Sequence, residues 1–244
     1  MDRLVSVNYK CKVVLITGAS SGVGLEIAKF FIKKDATVIV CSKNFKKLQI
    51  EFKKFTNVYF KSFDVVDEKK IIFFIKSIIK KFKRIDILIN NAGINLNSNV
   101  DFFNYKDLLK LFKINFFSYA VFIREVSKIM KKNNYGRIIN MSSGASVNCI
   151  PGYFAYSSSK SAINVLTKTY SKEIKDFNIK INSMSPGPCK TKMFPKNKLL
   201  PKICIPTVDY LSSLKKNGPS GKFFSFMRPI NVIPKQYIVS KKKS

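Results

Sequence analysis

Short apolar runs alternate along the chain with segments whose apolar residues recur every three to four positions. The runs are typical of β-strands, and the periodic segments are typical of amphipathic helices. We predict strands at Val13–Thr17, Thr37–Cys41, Val58–Phe63, Ile85–Ile89, Arg137–Met141, Lys180–Ser185 and Lys222–Phe226. We predict helices at Val23–Lys33, Phe45–Lys54, Glu68–Phe82, Tyr105–Met130, Phe154–Lys175 and Val208–Lys215. This alternation indicates an α/β fold with a doubly wound parallel sheet, covered by helices on both faces.

Neither an internal repeat nor a linker rich in Pro and Ser divides the chain, so we expect residues 1–244 to form a single domain. Asp67 followed by Glu68 predicts an N-terminal cap for the third helix. The stretch Thr191–Pro206 has three prolines and no clear periodicity, which predicts a loop over one end of the sheet. The basic tail, residues 241–244, is predicted to be frayed.

The composition excludes several classes of chemistry. The chain has no histidine, which rules out Ser-His-Asp and Cys-His nucleophilic machinery. Its five cysteines form no CxxC pair and offer no spacing suited to zinc, so we expect no metal site and a reduced, cytoplasmic location. No apolar run approaches the roughly 18–20 residues that would cross a membrane.

The charge is strongly positive, with 45 Lys and Arg against 14 Asp and Glu and a net charge of +31. Such an excess points toward polyanions, yet only five of these residues are arginines, the side chain best suited to bidentate phosphate recognition. Lys, Asn, Phe and Ile have AT-rich codons, so mutational bias explains the composition. A non-enzymatic polyanion-binding protein remains a remote alternative, and we expect no specific nucleic-acid partner.

A glycine-rich turn follows the first predicted strand and opens the first predicted helix. Its glycines are Gly18, Gly22 and Gly24, spaced Gly-x3-Gly-x-Gly. Glycines at such a turn let backbone N–H groups approach a pyrophosphate, and the helix N-terminus adds a positive dipole end. The position of the turn therefore favours a dinucleotide-binding site.

The ends of the next strands carry further polar groups. No acidic residue follows the second strand, where one would hold the adenosine ribose, and Lys43 is present to pair with a 2′-phosphate. This difference favours NADP(H) over NAD(H). Asp64, followed by Val65 at the end of the third strand, can accept a hydrogen bond from an adenine amino group. Asn90–Gly93 supplies a small polar turn after the fourth strand.

Ser143, Tyr156 and Lys160 form the strongest candidate catalytic group. Tyr156 and Lys160 are four residues apart on a predicted helix and share one face. An ammonium group beside a phenol lowers the phenol pKa, so Tyr156 could act as the general acid that histidine supplies elsewhere. Ser143 could donate a hydrogen bond to a substrate carbonyl.

Seven ordered segments carry a resemblance to the short-chain dehydrogenase/reductase family over nearly the whole chain. They are TGASSGVG, DV, NNAG, KIN, NMSS, YSSSK and NSMSPGPCKTKM. The resemblance implies a Rossmann-type fold and an Asn-Ser-Tyr-Lys tetrad completed by Asn115, which would kink its helix and hold a water on the proton path. Together with Gly24 and Lys43, singled out above, it implies a cofactor cleft lined by Gly18, Ser20, Ser21, Gly22, Val23, Asp64, Val65, Asn91, Lys160, Gly187 and Cys189.

Within the family, residues 217–224 and 228–230 resemble the carbonyl-reductase-like branch. The chain lacks the TG…DGG ending usual in β-ketoacyl-carrier-protein reductases. It departs from many NADP-dependent members at Ser21, where they have a basic residue, and this leaves Lys43 as the only evident anchor for a 2′-phosphate.

These observations predict an NADPH-dependent oxidoreductase that reduces a ketone or aldehyde to an alcohol, with Tyr156 as the proton donor. The short loop after Thr191 favours a small or medium-sized free carbonyl substrate. The alternative is a β-ketoacyl-carrier-protein reductase, whose acidic carrier protein the basic surface would attract. We also expect a homo-oligomer, either a dimer or a tetramer.

Overall fold

A computed structural model describes residues 8–232. Its strands form one eight-stranded sheet in the order β3-β2-β1-β4-β5-β6-β7-β8. They are β1 (Val13–Thr17), β2 (Thr37–Ser42), β3 (Val58–Ser62), β4 (Ile87–Asn90), β5 (Gly136–Met141), β6 (Ile179–Ser185), β7 (Phe223–Ser225) and β8 (Arg228–Ile230). The first seven pair in parallel, and β8 pairs antiparallel to β7.

Helices cover both faces of this sheet. They are α1 (Gly22–Lys33), α2 (Phe45–Phe52), α3 (Glu68–Phe82), α4 (Tyr105–Phe112), α5 (Ser118–Lys132), α6 (Ala145–Asn148), α7 (Phe154–Glu173) and α8 (Ile205–Ser212). Successive strand residues point to opposite faces, so Val14 packs with α1, α2 and α8 while Leu15 packs with α3 and α5. The predicted doubly wound α/β fold is confirmed. None of these helices combines the length and apolarity that crossing a bilayer requires.

The predicted elements are present, and two have the predicted bounds, β1 and α3. The side chain of Asp67 caps α3 by accepting a hydrogen bond from the Lys70 N–H at 3.0 Å, as predicted. The predicted tail at residues 241–244 and both ends of the predicted domain lie outside the described residues.

The segment predicted as one helix, Tyr105–Met130, is helical throughout but not α-helical throughout. A π-helical turn at Lys113–Phe117 separates α4 from α5. At its end the Ser118 hydroxyl donates to the Ile114 carbonyl at 2.6 Å. The wider turn places Asn115 in the interior, against the backbone that follows β4.

The prediction of a loop over Thr191–Pro206 is wrong at its C-terminal end. A 3-10 turn spans Pro201–Cys204, and α8 begins at Ile205, whereas we predicted a start at Val208. Proline fits the first turn of a helix because its missing N–H would be unpaired there in any case. Pro206 therefore lies within the first turn of α8, and not at the end of the loop as we predicted.

Both edges of the sheet differ from its interior. One edge strand, β8, was not predicted; it pairs antiparallel with β7, is exposed throughout and contains Pro229. At the other edge, β3 alternates in burial and exposes Tyr59 and Lys61. The Nζ of Lys81 lies 3.9 Å from the centre of the Tyr59 ring.

Candidate active site

A cleft of about 390 Å³ opens at the carboxyl ends of the parallel strands. Ser143, Tyr156 and Lys160 line one part of it. Its walls also include every predicted cofactor-binding residue, namely Gly18, Ser20, Ser21, Gly22, Val23, Gly24, Lys43, Asp64, Val65, Asn91, Gly187 and Cys189. Only Asn115, among the predicted site residues, is not on its wall.

The glycine-rich turn is packed too closely for side chains. Gly18 has a φ of +68°, and a Cβ there would lie 2.7 Å from the Ala92 Cα. A Cβ at Gly24 would lie 2.6 Å from the Gly18 carbonyl oxygen. The turn therefore presents bare backbone and the N-terminus of α1 to the cleft, an arrangement that fits a pyrophosphate.

Asn91 and Thr17 hold this turn against the end of β4. The side-chain amide nitrogen of Asn91 donates to the backbone carbonyl oxygens of Thr17 at 3.0 Å and Gly18 at 3.2 Å. In return, the Thr17 hydroxyl accepts from the backbone N–H groups of Asn91 at 2.9 Å and Ala92 at 3.0 Å. The sequence analysis missed Thr17, although a buried threonine directly before the first glycine was a usable signal.

The part of the cleft next to β2 has no acidic residue directly after that strand. Ser42 ends β2, and its hydroxyl is 2.8 Å from that of Ser20. Lys43 lines the cleft beside them, as predicted. Lys47 and Lys192, which the sequence analysis did not single out, line the same cleft, whereas Lys43 was the only basic residue predicted to hold a 2′-phosphate.

Tyr156 and Lys160 lie on one face of α7 at the other end of the cleft. Both are buried, with 6% and 3% of their surfaces exposed. The Lys160 ammonium donates to the Met141 carbonyl at 2.8 Å and lies 5.7 Å from the centre of the Tyr156 ring. The predicted Ser143, Tyr156 and Lys160 are therefore brought together.

The pKa of Tyr156 departs from its ordinary value in the direction opposite to our expectation. Burial raises it, and a hydrogen bond with Ser143 lowers it by less. Burial also lowers the pKa of Lys160 to about 7. Near neutral pH Lys160 is therefore only partly charged, and the protein alone keeps the phenol protonated.

Asn115 lies behind the cleft and is fully buried. Its amide oxygen accepts from the Ile94 N–H, and its amide nitrogen donates to the Ile94 carbonyl, both at 2.9 Å. The same nitrogen donates to the Ser159 hydroxyl at 3.1 Å. The family resemblance implied a kink in the helix at this residue, and the π-helical turn Lys113–Phe117 contains it. The side chain of Asn115 joins α7 to the segment after β4.

A tight turn, Thr191–Phe194, lines part of the cleft. The backbone N–H groups of Thr191 and Phe194 donate to each other's carbonyls at 3.3 and 3.2 Å. The Phe194 ring lies 6.1 Å from the Tyr156 ring and stacks on Tyr153 at 6.5 Å. Sequence reasoning missed Phe194, because nothing in the loop pattern showed which residue faces Tyr156.

Known proteins similar to this chain share both the sequence pattern and the fold. A family model described as short chain dehydrogenase matches residues 12–199. The uncharacterised oxidoreductase YxjF of Bacillus subtilis is 34% identical over 192 residues, 75% of this chain and 72% of that protein. The 3-oxoacyl-[acyl-carrier-protein] reductase FabG of Rickettsia conorii is 34% identical over 186 residues, covering 76% of each chain. The solved structure of ElxO with NADP bound has a TM-score of 0.81 and 30% identity, and the match covers 88% of this chain and 96% of that one.

Proposed function

Because the chain belongs to the short-chain dehydrogenase/reductase family and is therefore a nicotinamide-dependent oxidoreductase, we propose that it reduces the carbonyl group of a small molecule to an alcohol with NADPH. The observation that carries this proposal is the continuity of one cleft. The glycine-rich turn lines one part, and Ser143, Tyr156 and Lys160 line another.

NADPH, when bound, supplies a hydride from its nicotinamide ring. Ser143 donates a hydrogen bond to the carbonyl oxygen of the substrate and holds it beside the phenol. Tyr156 gives its proton to that oxygen as negative charge develops there. Burial raises the pKa of Tyr156, so the phenol carries its proton at neutral pH, and groups beside it must stabilise the phenolate that is left after the transfer.

Lys160 and Asn115 support the proton donor. The ammonium of Lys160 is held by the Met141 carbonyl near the Tyr156 ring, where positive charge stabilises the phenolate left after proton transfer. Burial holds the pKa of Lys160 near 7, so it can also exchange protons near neutral pH. Asn115 keeps α7 in place relative to β4 and, in this proposal, holds a water on the path by which the proton is replaced.

The preference for NADPH over NADH is part of the proposal. Lys43 lines the cleft directly after β2, where an acidic side chain would bind the ribose of NADH. ElxO, whose solved structure contains NADP, supports the same cofactor.

A β-ketoacyl-carrier-protein reductase is the second candidate. The relationship to FabG of Rickettsia conorii favours it, and so does a net charge of +31 that attracts acidic carrier proteins. The short segment between Thr191 and α8 favours a free substrate, because it covers little surface beyond the reacting carbonyl.

We further propose a homo-oligomeric, cytoplasmic enzyme with a single domain. Three exposed apolar side chains support association, namely Leu109 on α4, Val165 on α7 and Phe117 at the end of the π-helical turn. All five cysteines lie within the described residues as free thiols, which suits a reducing compartment.

The decisive experiment is a panel of aldehydes and ketones, assayed by the loss of NADPH absorbance. We expect turnover of at least one small carbonyl compound. The carrier-protein alternative is tested by comparing kcat/KM for a β-ketoacyl group on its carrier protein and on a truncated thiol. A large carrier advantage that persists at about 0.5 M salt, where charges are screened within a few ångströms, would favour the alternative. No turnover of any carbonyl compound would contradict both.

A further inference from the structure

The proposed carbonyl-binding serine lies outside the sheet, in the link between a strand and a single helical turn. β5 ends at Met141, and α6 begins at Ala145, so Ser143 belongs to neither element. The backbone N–H of Ala145 donates to the Ser143 hydroxyl oxygen at 3.1 Å. A serine hydroxyl has one hydrogen and two lone pairs, so this bond leaves the hydrogen free for the cleft that Ser143 lines.

Ser146 fixes the same link from its other side. Its hydroxyl donates to the Ser143 carbonyl at 2.6 Å, and its backbone N–H donates to that oxygen at 3.0 Å. The residues that follow, 147–150, are exposed. Ser146 therefore lies where the link that carries Ser143 passes into an exposed segment, and its contacts decide how firmly that link is held.

The helix α7 holds Ser146 through two of its side chains. The amide nitrogen of Asn164 donates to the Ser146 hydroxyl oxygen at 2.9 Å, and the Ser161 hydroxyl donates to the Ser146 carbonyl, also at 2.9 Å. Asn164 is 5% exposed, and its amide oxygen accepts from the Ser183 hydroxyl of β6 at 2.8 Å. These bonds run in one direction, from β6 through α7 to the carbonyl of Ser143.

The direction of the bonds follows from the chemistry of the amide. A side-chain amide nitrogen can only donate, so the Ser146 oxygen accepts from Asn164 and its single hydrogen is left for the Ser143 carbonyl. Asn164 lies one helical turn after Lys160, and both are buried on the face of α7 that carries Tyr156. One helix therefore carries the proposed proton donor and also holds the link that contains the serine.

We propose that Ser146 and Asn164 are positioning residues for the reduction, and that they hold the Ser143 hydroxyl where it and the Tyr156 phenol can bind the same carbonyl oxygen. The inference rests on the proposed function. Neither Ser146 nor Asn164 lines the cleft, so both act on the reaction through Ser143.

The first test compares kcat among variants of the full chain. We expect Ser146→Ala and Asn164→Ala each to lower kcat by about 10- to 100-fold, because displacing a reacting group by about 1 Å can lower a rate about 100-fold. NADPH affinity should be almost unchanged, because neither side chain lines the cofactor cleft. Ser146→Thr keeps the hydroxyl and should keep most of the activity. Ser146 is only partly buried, so its variants carry the test if Asn164→Ala does not fold.

Ser157→Ala is the matched control. It also removes a serine hydroxyl from α7, and within the described residues that hydroxyl is buried without a hydrogen-bond partner. Its loss should leave kcat almost unchanged, because no bond is broken.

The second test separates positioning from a general loss of structure. In a Ser143→Ala background there is no hydroxyl left to position, so adding Ser146→Ala should cause no further fall in kcat. A general disturbance of α7 would lower kcat equally in both backgrounds. Single-turnover measurement of NADPH oxidation gives the comparison where steady-state rates are too slow.

The third test needs neither substrate nor cofactor. The Ala145 amide is bonded to the Ser143 hydroxyl, so its hydrogen exchange, followed by NMR, reports whether that hydroxyl is held in place. Ser143→Ala removes the acceptor and should speed this exchange. We expect Ser146→Ala to speed it as well and Ser157→Ala to leave it unchanged.

The outcomes separate this inference from the proposed function. If Ser146→Ala behaves like Ser157→Ala while NADPH-dependent reduction persists, the positioning role is wrong and the function stands. If Ser146→Ala lowers kcat as much in the Ser143→Ala background as alone, its effect does not pass through Ser143 and the inference is overturned. If no carbonyl compound is reduced but protection of the Ala145 amide still requires Ser146, the placement of Ser143 by Ser146 stands and the proposed function fails.

Discussion

Asn115 binds both backbone polar groups of Ile94, accepting from its N–H and donating to its carbonyl at 2.9 Å each. A neighbouring β-strand would satisfy the N–H and the carbonyl of one residue in the same way, but here the partner is a side chain from the π-helical turn. Because the same amide also bonds Ser159, one buried residue fixes the distance between the end of β4 and α7, which carries Tyr156 and Lys160.

Asn115→Ala should therefore reduce the free energy of unfolding by roughly 2–4 kcal/mol, because it leaves the Ile94 and Ser159 groups without partners in the interior. Urea denaturation measures this change. Asn133→Ala, at an exposed position after α5, is the control and should change the stability by less than about 0.5 kcal/mol. Equal stability of the two variants would show that the Ile94 bonds are replaced by water.

Tyr156→Phe should lower kcat by about 10²- to 10⁴-fold, because it removes the proton that Tyr156 transfers. NADPH affinity should remain within a factor of two, since the ring and its contact with Phe194 are kept. Steady-state kinetics and cofactor titration give both numbers. Tyr153→Phe, one helical turn earlier and stacked on the same Phe194, should keep most of its activity. Near-normal kcat in Tyr156→Phe would remove Tyr156 from the role of acid.

Lys160→Met should remove a pH-dependent part of the stability. Burial lowers the pKa of Lys160 from its ordinary 10.5 to about 7, so between these values the folded protein binds fewer protons than the unfolded chain. Burying the charged form of Lys160 lowers the free energy of unfolding. This destabilisation is at its full size below about pH 7 and declines as the pH rises toward 10.5. Relative to Lys160→Met, the unsubstituted protein should gain up to about 1.4 kcal/mol per pH unit in that window.

Urea denaturation of both proteins without nucleotide, from about pH 6 to about pH 9, tests this prediction. Groups common to both proteins cancel in the difference between their free energies of unfolding. A difference that stays constant with pH would mean that Lys160 keeps an ordinary pKa.

Lys43→Asp should reverse or abolish the preference for NADPH, because a carboxylate repels the 2′-phosphate and accepts hydrogen bonds from ribose hydroxyls. A charge-assisted contact contributes about 1.5–3 kcal/mol, so the ratio of kcat/KM between the two cofactors should shift by roughly 10- to 150-fold. Lys46→Asp makes the same charge change at an exposed position on α2 and should shift the ratio far less. If the unsubstituted enzyme uses NADPH and NADH equally well, the cofactor proposal is wrong.

Much of the fold could be predicted from local pattern. The bounds of β1 and α3 are those predicted, because an uninterrupted apolar run and a capped amphipathic segment leave little choice. Ser143, Tyr156 and Lys160 could be grouped because a helix brings residues four apart onto one face, and the order of family motifs located Ser143.

The remainder depended on tertiary contacts that leave no local pattern. The helical periodicity runs straight through the π turn at Lys113–Phe117, whose Asn115 bonds the backbone of Ile94, a residue distant in sequence. Lys47 and Lys192 were indistinguishable among so many lysines until the fold brought them to one cleft. The pKa of Tyr156 was assigned the wrong direction, because burial cannot be read from a spacing of four residues.

The two edge strands of the sheet, β3 and β8, constrain how copies of this protein can associate. An unprotected edge strand can pair through its backbone with a strand of another chain, which is the first step toward fibrils. Here Pro229 in β8 has no N–H to offer a neighbouring chain, and the short length of β8 limits any such ladder. At the other edge, β3 carries the charge of Lys61, and the ammonium of Lys81 lies over Tyr59. If a second copy of β3 paired there, these positive charges would face the same charges of that copy and repel them. Growth by strand addition is therefore disfavoured at both edges, so any association between copies would use surfaces other than these two strands.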